Sequence, residues 1–251
     1  MDHLHFGKEG GKKYVILPGL SLKSVLPSAK AIMSAYSLLA KDRDIYLIEH
    51  IKGEPEGFSI YDMADDVIRA FGDLGIDKAD VMGVSMGGMV AQALALKYPE
   101  KVSSLILCST AARVDEEHAS VFGNWRRLAE KRDAKGLGEA FGKAVYTPAF
   151  YEQYKDIIDS SSEGAVERDY EDFLVSIDAI ENFDAYDDLE DIKCPVFVLG
   201  AGEDKVLGAK ASPELMEKLR CSGYIYEGKG HGVYDEAPDY LQRIKDFLEE
   251  K

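Results

Sequence analysis

Ser85 stands in the stretch Gly83-Val84-Ser85-Met86-Gly87-Gly88, with a glycine two residues away on either side. A serine hydroxyl attacks a carbonyl only when a base takes its proton, and a carboxylate usually orients that base. The chain carries five histidines. His3 and His5 lie near its start, His118 opens a long segment without strand-like runs, and His50 ends an apolar run. His231 lies in Gly228-Lys229-Gly230-His231-Gly232, between the last apolar run and the last helical stretch, where a base can reach across loops. Asp204 follows another apolar run in a glycine-bearing loop and is the candidate carboxylate, with Glu203 beside it and Asp115 as alternatives. Taken singly, each has an ordinary reading: a tight turn, a solvated loop histidine, a surface charge in an acidic chain. The functional reading rests on coincidence. Serine, acid and histidine occur in that order, each just past a strand-like run.

Those runs are the elements that must position them. Lys13 to Pro18, Asp44 to His50, Ala79 to Val84, Val102 to Ser109, Cys194 to Ala201 and Ser222 to Gly228 are short and apolar or β-branched. They predict strands, most buried on both faces as in a parallel sheet. His3 to Phe6 predicts a seventh strand at an edge. Between the runs lie helical periods: Ser59 is an N-cap for a helix with Met63, Val67, Ile68 and Phe71 on one face. A second helix stops at Pro99, and a last one aligns Leu241, Ile244 and Leu248. Alternating strand and helix implies an α/β fold, with a mainly parallel sheet of about seven strands and helices on both faces. Open sheets of this kind bind ligands at the carboxyl ends of their strands.

In that setting Ser85 sits on a strand-to-helix turn tight enough to need the missing Cβ atoms of Gly83 and Gly87. The helix starting at Met86 aims free N–H groups at the same place. Two donors for an oxyanion are then expected, the N–H of Met86 and that of Leu20 in Leu17-Pro18-Gly19-Leu20. Pro18 has no N–H to give.

Residues 113–189 break the alternation. They hold no strand-like run, helical stretches near Asn124 to Arg132 and Phe173 to Ile180, and a turn at Thr147-Pro148. The expectation is a helical cap, 113–189, inserted into a core made of 1–112 and 190–251. His50, Phe122, Trp125, Tyr146 and Phe150 are candidates to line the substrate pocket, although the four aromatics could equally pack the cap against itself.

The formal net charge of −16 over 251 residues argues against nucleic acid and anionic membrane surfaces as partners. No apolar run approaches the roughly 20 residues that span a bilayer, and the first residues lack a signal-like apolar stretch. Cys108, Cys194 and Cys221 are scattered and without C-x-x-C spacing, which fits neither a disulfide framework nor a zinc site. The expectations are a cytoplasmic protein, monomer or homodimer, acting on a small molecule with no metal or organic cofactor.

With these residues in view, the sequence resembles the α/β-hydrolase fold superfamily, and most its capped esterases, lactonases and haloperoxidase-like members such as 3-oxoadipate enol-lactonases. The stretch from Ser59 to Ala112 carries the resemblance most specifically, and Cys194 to Val206 and Gly228 to Glu250 repeat the family's acid and histidine regions. The resemblance implies Ser85 as nucleophile, Asp204 as acid and His231 as base. It also implies hydrolysis of a small carboxylic ester, thioester or lactone through an acyl-enzyme. Serine at this position separates the chain from dehalogenase and epoxide hydrolase relatives, which use aspartate. Two stretches depart from the family pattern. Pro18-Gly19 stands where His-Gly is usual, and His50-Ile51-Lys52-Gly53 where Asp-x-Arg-Gly is common. Rival readings keep the constellation: cleavage of a carbon–carbon bond, an aminopeptidase-like amidase, or a ligand receptor without turnover.

Overall fold

Alternate side chains along the apolar runs sort to the two faces of a single sheet. The computed structural model describes residues 1–250. Its seven strands are β1 (His3–Gly7), β2 (Lys12–Leu17), β3 (Arg43–Ile48), β4 (Ala79–Val84), β5 (Val102–Cys108), β6 (Val196–Ala201) and β7 (Ser222–Tyr226). They lie in the order β1-β3-β2-β4-β5-β6-β7. β1 runs antiparallel to β3 at one edge, and every other pair is parallel.

The helices are α1 (Ala29–Ala35), α2 (Ile60–Asp73), α3 (Met86–Lys97), α4 (Ala119–Glu130), α5 (Ala134–Val145), α6 (Pro148–Ser160), α7 (Glu167–Glu181), α8 (Ala211–Leu219), α9 (Val233–Glu236) and α10 (Tyr240–Glu249). Tyr14, Ile16, Ile45, Leu47, Met82 and Val84 face α1 and α10, where Tyr240, Ile244 and Leu248 close the layer. Their chain neighbours Val15, Leu17, Val81, Leu105 and Leu107 face α2, α3 and the helices after β5. This is the period-two sorting of a pleated strand, covered on both sides.

α2 begins with a reciprocal capping box. The Asp62 amide donates to Ser59 Oγ at 3.2 Å and the Ser59 amide donates to Asp62 Oδ2 at 2.9 Å. Ile60, Met63, Val67 and Phe71 are buried along its inner stripe. α3 is buried from Met86 to Ala95, as a helix apolar on all sides must be.

Between β5 and β6 the chain forms four helices, α4 to α7, where the sequence pattern suggested two. Thr147-Pro148 is the start of α6 rather than a free turn. Thr147 Oγ1 caps the Phe150 amide at 3.4 Å, and Pro148 fills the first helical position, where a missing N–H leaves no bond unmade. At the opposite end of the sheet a buried ion pair, Arg43 to Asp80, ties β3 to β4, and Arg43 also donates to the Leu248 carbonyl of α10.

Candidate active site

The β4–α3 turn carries Ser85 at φ 52° and ψ −119°, left-handed backbone that a non-glycine residue adopts only at a cost of about 1–3 kcal/mol. The surroundings hold it there. Its N–H donates to the Cys108 carbonyl at 2.9 Å, and its carbonyl accepts from the Gly88 amide at 2.8 Å and Thr110 Oγ1 at 2.7 Å. Glycine is required on both flanks. A Cβ at Gly83 would collide with the Gly87 carbonyl, and one at Gly87 with the carbonyls of Leu17 and Pro18.

Asp204, in the loop that leaves the end of β6, is buried, as is His231. Asp204 Oδ1 accepts from the Val206 and Leu207 amides at 2.8 and 3.0 Å, while Oδ2 stands 2.8 Å from His231 Nδ1. Burial alone would raise this carboxyl. The attraction of His231, its hydrogen bond and the two amide donors outweigh that and hold Asp204 below the usual carboxylate range. An ionised carboxylate only accepts, so His231 Nδ1 carries the proton of this hydrogen bond, and in the neutral ring the lone pair is on Nε2. The alternatives stand elsewhere: Glu203 is exposed, and Asp115 lies 2.6 Å from His118 Nδ1. The Ser85 hydroxyl makes no hydrogen bond to His231 among the described residues. Contacts of this kind are often long before substrate binds.

The Pro18–Leu20 loop lies against the serine. A Cβ placed on Gly19 would come within 3.2 Å of Ser85 Cβ and 3.8 Å of its Oγ. His50 Nε2 donates to the Pro18 carbonyl at 3.3 Å, and its Nδ1 is buried without a partner. Burial lowers the His50 ring to about 4, so it is neutral at neutral pH. Leu20, Met86 and His50 border a cavity of about 60 Å³. On the other side of the same loop, Gly19, Leu20 and Val84 border a larger one of about 420 Å³.

A family model for the α/β hydrolase fold matches residues 43–238. The chain belongs to the α/β hydrolase fold family. The chain is 29% identical to 3-oxoadipate enol-lactonase 2 of Acinetobacter baylyi, over 59% of this chain and 55% of that protein. It is 27% identical to the protein named as a putative carbamate hydrolase, RutD, of Caulobacter sp., over 98% of this chain and 94% of that one. Its fold superposes on the enol-lactonase of Burkholderia xenovorans with a TM-score of 0.82 at 21% identity, covering 98% of this chain and 95% of that chain. At that identity the structural likeness speaks for the fold alone.

Within the hydrolase fold, Phe122, Trp125, Tyr146 and Phe150, candidates for the pocket, line neither of these two cavities. Phe122 and Trp125 are buried edge to face, and Trp125 stacks on Phe141 at 4.6 Å. Tyr146 stacks on Phe150 and lies against Gly232, beside His231, and its hydroxyl donates at 2.7 Å to Asp235 Oδ2, in the wall of the larger cavity. The apolar stripe of a helix must first satisfy its own packing, and Phe122 and Trp125 do that. Of the aromatics between β5 and β6, Phe141 is the one that lines the larger cavity, beside Tyr36, Tyr234 and Tyr240 from other elements; it comes from a helix rich in glycine and alanine that drew no notice in the sequence.

Sequence reasoning also missed a clasp between the inserted helices and the histidine loop. The Gly232 amide donates to the Val145 carbonyl at 2.8 Å, and Glu236 accepts from both the amide and the hydroxyl of Thr147 at 2.8 Å each. Thr147 and Glu236 lie 89 residues apart, and no local pattern links them. Among the described residues no group of three or more His, Cys, Asp or Glu side chains could hold a metal ion, and no helix is long and apolar enough to cross a membrane.

Proposed function

We propose that the protein is a serine hydrolase of small carboxylic esters, thioesters or lactones, with Ser85 as nucleophile, His231 as base and Asp204 as its orienting acid. One observation carries the reading. A serine held in left-handed backbone at a helix start accompanies a buried histidine–carboxylate pair on loops that leave the same end of the sheet. A strained serine serves no packing purpose that a glycine would not serve better.

In this mechanism His231 Nε2 takes the Ser85 proton as Oγ attacks the substrate carbonyl. The N–H groups of Met86 and Leu20 receive the oxyanion. His231 then protonates the leaving oxygen, and the acyl-serine is hydrolysed by a water that gives its proton to the same nitrogen. Asp204 keeps the imidazole proton on Nδ1 throughout and stabilises the imidazolium. Residues 113–189 act as a cap whose contact with the histidine loop keeps that loop in place.

A second reading, cleavage of a carbamate or amide by the same residues, is favoured by the near full-length likeness to the relative named for carbamate hydrolysis. Initial rates on p-nitrophenyl acetate and butyrate, on short lactones and on simple carbamates separate the two, with Ser85→Ala as reference. Serine-dependent turnover of esters or lactones above carbamates is expected. Absence of serine-dependent turnover on every substrate, together with no labelling of Ser85 by a fluorophosphonate, would refute both.

A further inference from the structure

The cavity of about 420 Å³ that reaches Val84, the residue before Ser85, lies on the α1 and α10 side of the sheet, away from most of the inserted helices. Its volume falls within the ~300–1,000 Å³ of small-molecule sites. Its rim includes Leu20, the proposed oxyanion donor, its neighbour Gly19, and Val84 immediately before the nucleophile. Behind that rim it is walled by Ile32 of α1, Leu47 of β3 and Leu241 of α10. The smaller cavity on the other side of the loop, at about 60 Å³, has room only for a small group and is flanked by Lys52, Asp169 and Asp172.

We infer that the groove between α1 and the oxyanion loop receives the hydrocarbon chain of the substrate's acyl half, so that the enzyme selects uncharged, medium-length acyl groups. The inference rests on the serine hydrolase reading above. A carbonyl oxygen bound at the Leu20 and Met86 amides places the substituent on the Leu20 side of the carbon at the groove mouth. A linear chain is the occupant that fits a mainly apolar groove whose wall reaches Val84, the residue before the nucleophile. The one charged side chain among the described residues of its wall is Asp235, already engaged by the Tyr146 hydroxyl. No cation among those residues lines the wall to pair with a carboxylate tail, and an anionic tail would face the Asp235 carboxyl.

Ala31 and Ala35 stand one helical turn apart on α1, both on the groove and both exposed, so a larger side chain there fills the groove without entering the core. The test is kcat/KM for p-nitrophenyl esters from acetate to decanoate, with the native protein, Ala31→Trp and Ala35→Trp. The native protein should gain up to about fourfold per added methylene until the groove is full, about 0.8 kcal/mol for each buried CH2. Both tryptophan variants should flatten the series, lowering the octanoate-to-acetate ratio at least tenfold. An ester of octanol with acetic acid should gain nothing from its chain, and a p-nitrophenyl ester ending in a free carboxylate should fall at least tenfold below the neutral ester of equal length. Binding of octanoate to Ser85→Ala, measured by calorimetry and abolished by adding Ala35→Trp, tests the groove without turnover. If octanoate binds in this way but no ester is hydrolysed, the hydrolase reading fails and the groove stands. If esters are hydrolysed but the native series is flat, or the gain survives both tryptophans, or it follows the alcohol chain, the inference is overturned.

Discussion

Replacing Asp204 by asparagine keeps the shape of the site and inverts its proton logic. The Val206 and Leu207 amides, at 2.8 and 3.0 Å, need an acceptor at the Oδ1 position. Asparagine has one oxygen, and these two donors claim it. Its NH2 group is thereby turned toward His231 Nδ1, where it donates, and the imidazole proton moves to Nε2. That nitrogen can no longer take the Ser85 proton. Restoring the productive tautomer means rotating the amide and leaving two buried N–H groups without acceptors, at about 1–3 kcal/mol each. The productive arrangement is then depleted by a factor between about 30 and about 10⁴, since about 1.4 kcal/mol is tenfold. The loss of imidazolium stabilisation adds to this, so the upper end is expected. The assay is pre-steady-state acylation of Asp204→Asn by p-nitrophenyl butyrate, together with its rate of fluorophosphonate labelling. Acylation should fall by at least about 30-fold while binding of the ester is little altered. An Asp204→Asn variant that acylates within about threefold of the native rate would refute the assignment of Asp204 and the tautomer argument together.

Gly87→Ala would push a methyl group into the Leu17 and Pro18 carbonyls, backbone on both counts; urea unfolding should show a loss of about 1–3 kcal/mol, and ester turnover should fall at least tenfold. Asp80→Ala leaves Arg43, itself only 7% exposed, facing a vacated ion-pair site; the expected cost is about 3–5 kcal/mol by urea unfolding, largely recovered in Arg43→Met with Asp80→Leu. Glu54 is held up to about 7, first by burial and then by Asp172 and Asp62. Its folded form thus binds the proton more tightly than the unfolded chain. Stability from this group is full below about pH 4.5 and is lost as pH rises toward 7, so Glu54→Gln should raise the melting temperature at about pH 8 and leave it little changed at about pH 4. His50→Leu removes the donor to the Pro18 carbonyl; kcat should fall about tenfold with KM nearly unchanged, and His50→Gln should recover part of the loss.

The sheet was legible because each strand is a short apolar run closed by glycine, proline or a helix signal, and the edge strand at His3 was legible too. The order of Ser85, Asp204 and His231 could be read for the same reason: a residue just past a parallel strand has only one end of the sheet to occupy. The cap was harder. Helical period says that Phe122 and Trp125 face something apolar, but it does not distinguish a neighbouring helix from a ligand, and here Phe141 of α5 is the neighbour. Thr147-Pro148 misled because the same dipeptide serves a turn and a helix start, and only the Phe150 amide resolves which. The Tyr146–Asp235 and Thr147–Glu236 contacts join segments whose separation carries no spacing signal at all.

Pro18 is where sequence and structure explain each other most closely. A proline at this point of the oxyanion loop gives up one N–H, and its carbonyl would be free to turn. Two residues from other elements take over the constraint. His50, just past the end of β3, donates to that carbonyl, and its own neutrality follows from being buried there with a carbonyl for company rather than a carboxylate. Gly87, in the first turn of α3, lets the Leu17 and Pro18 backbone approach more closely than any side chain allows. On the proposed reading, a histidine beyond one strand and a glycine on one helix both hold the backbone that precedes the Leu20 amide. The departures at Pro18 and at His50 thus meet in one contact, His50 Nε2 on the Pro18 carbonyl.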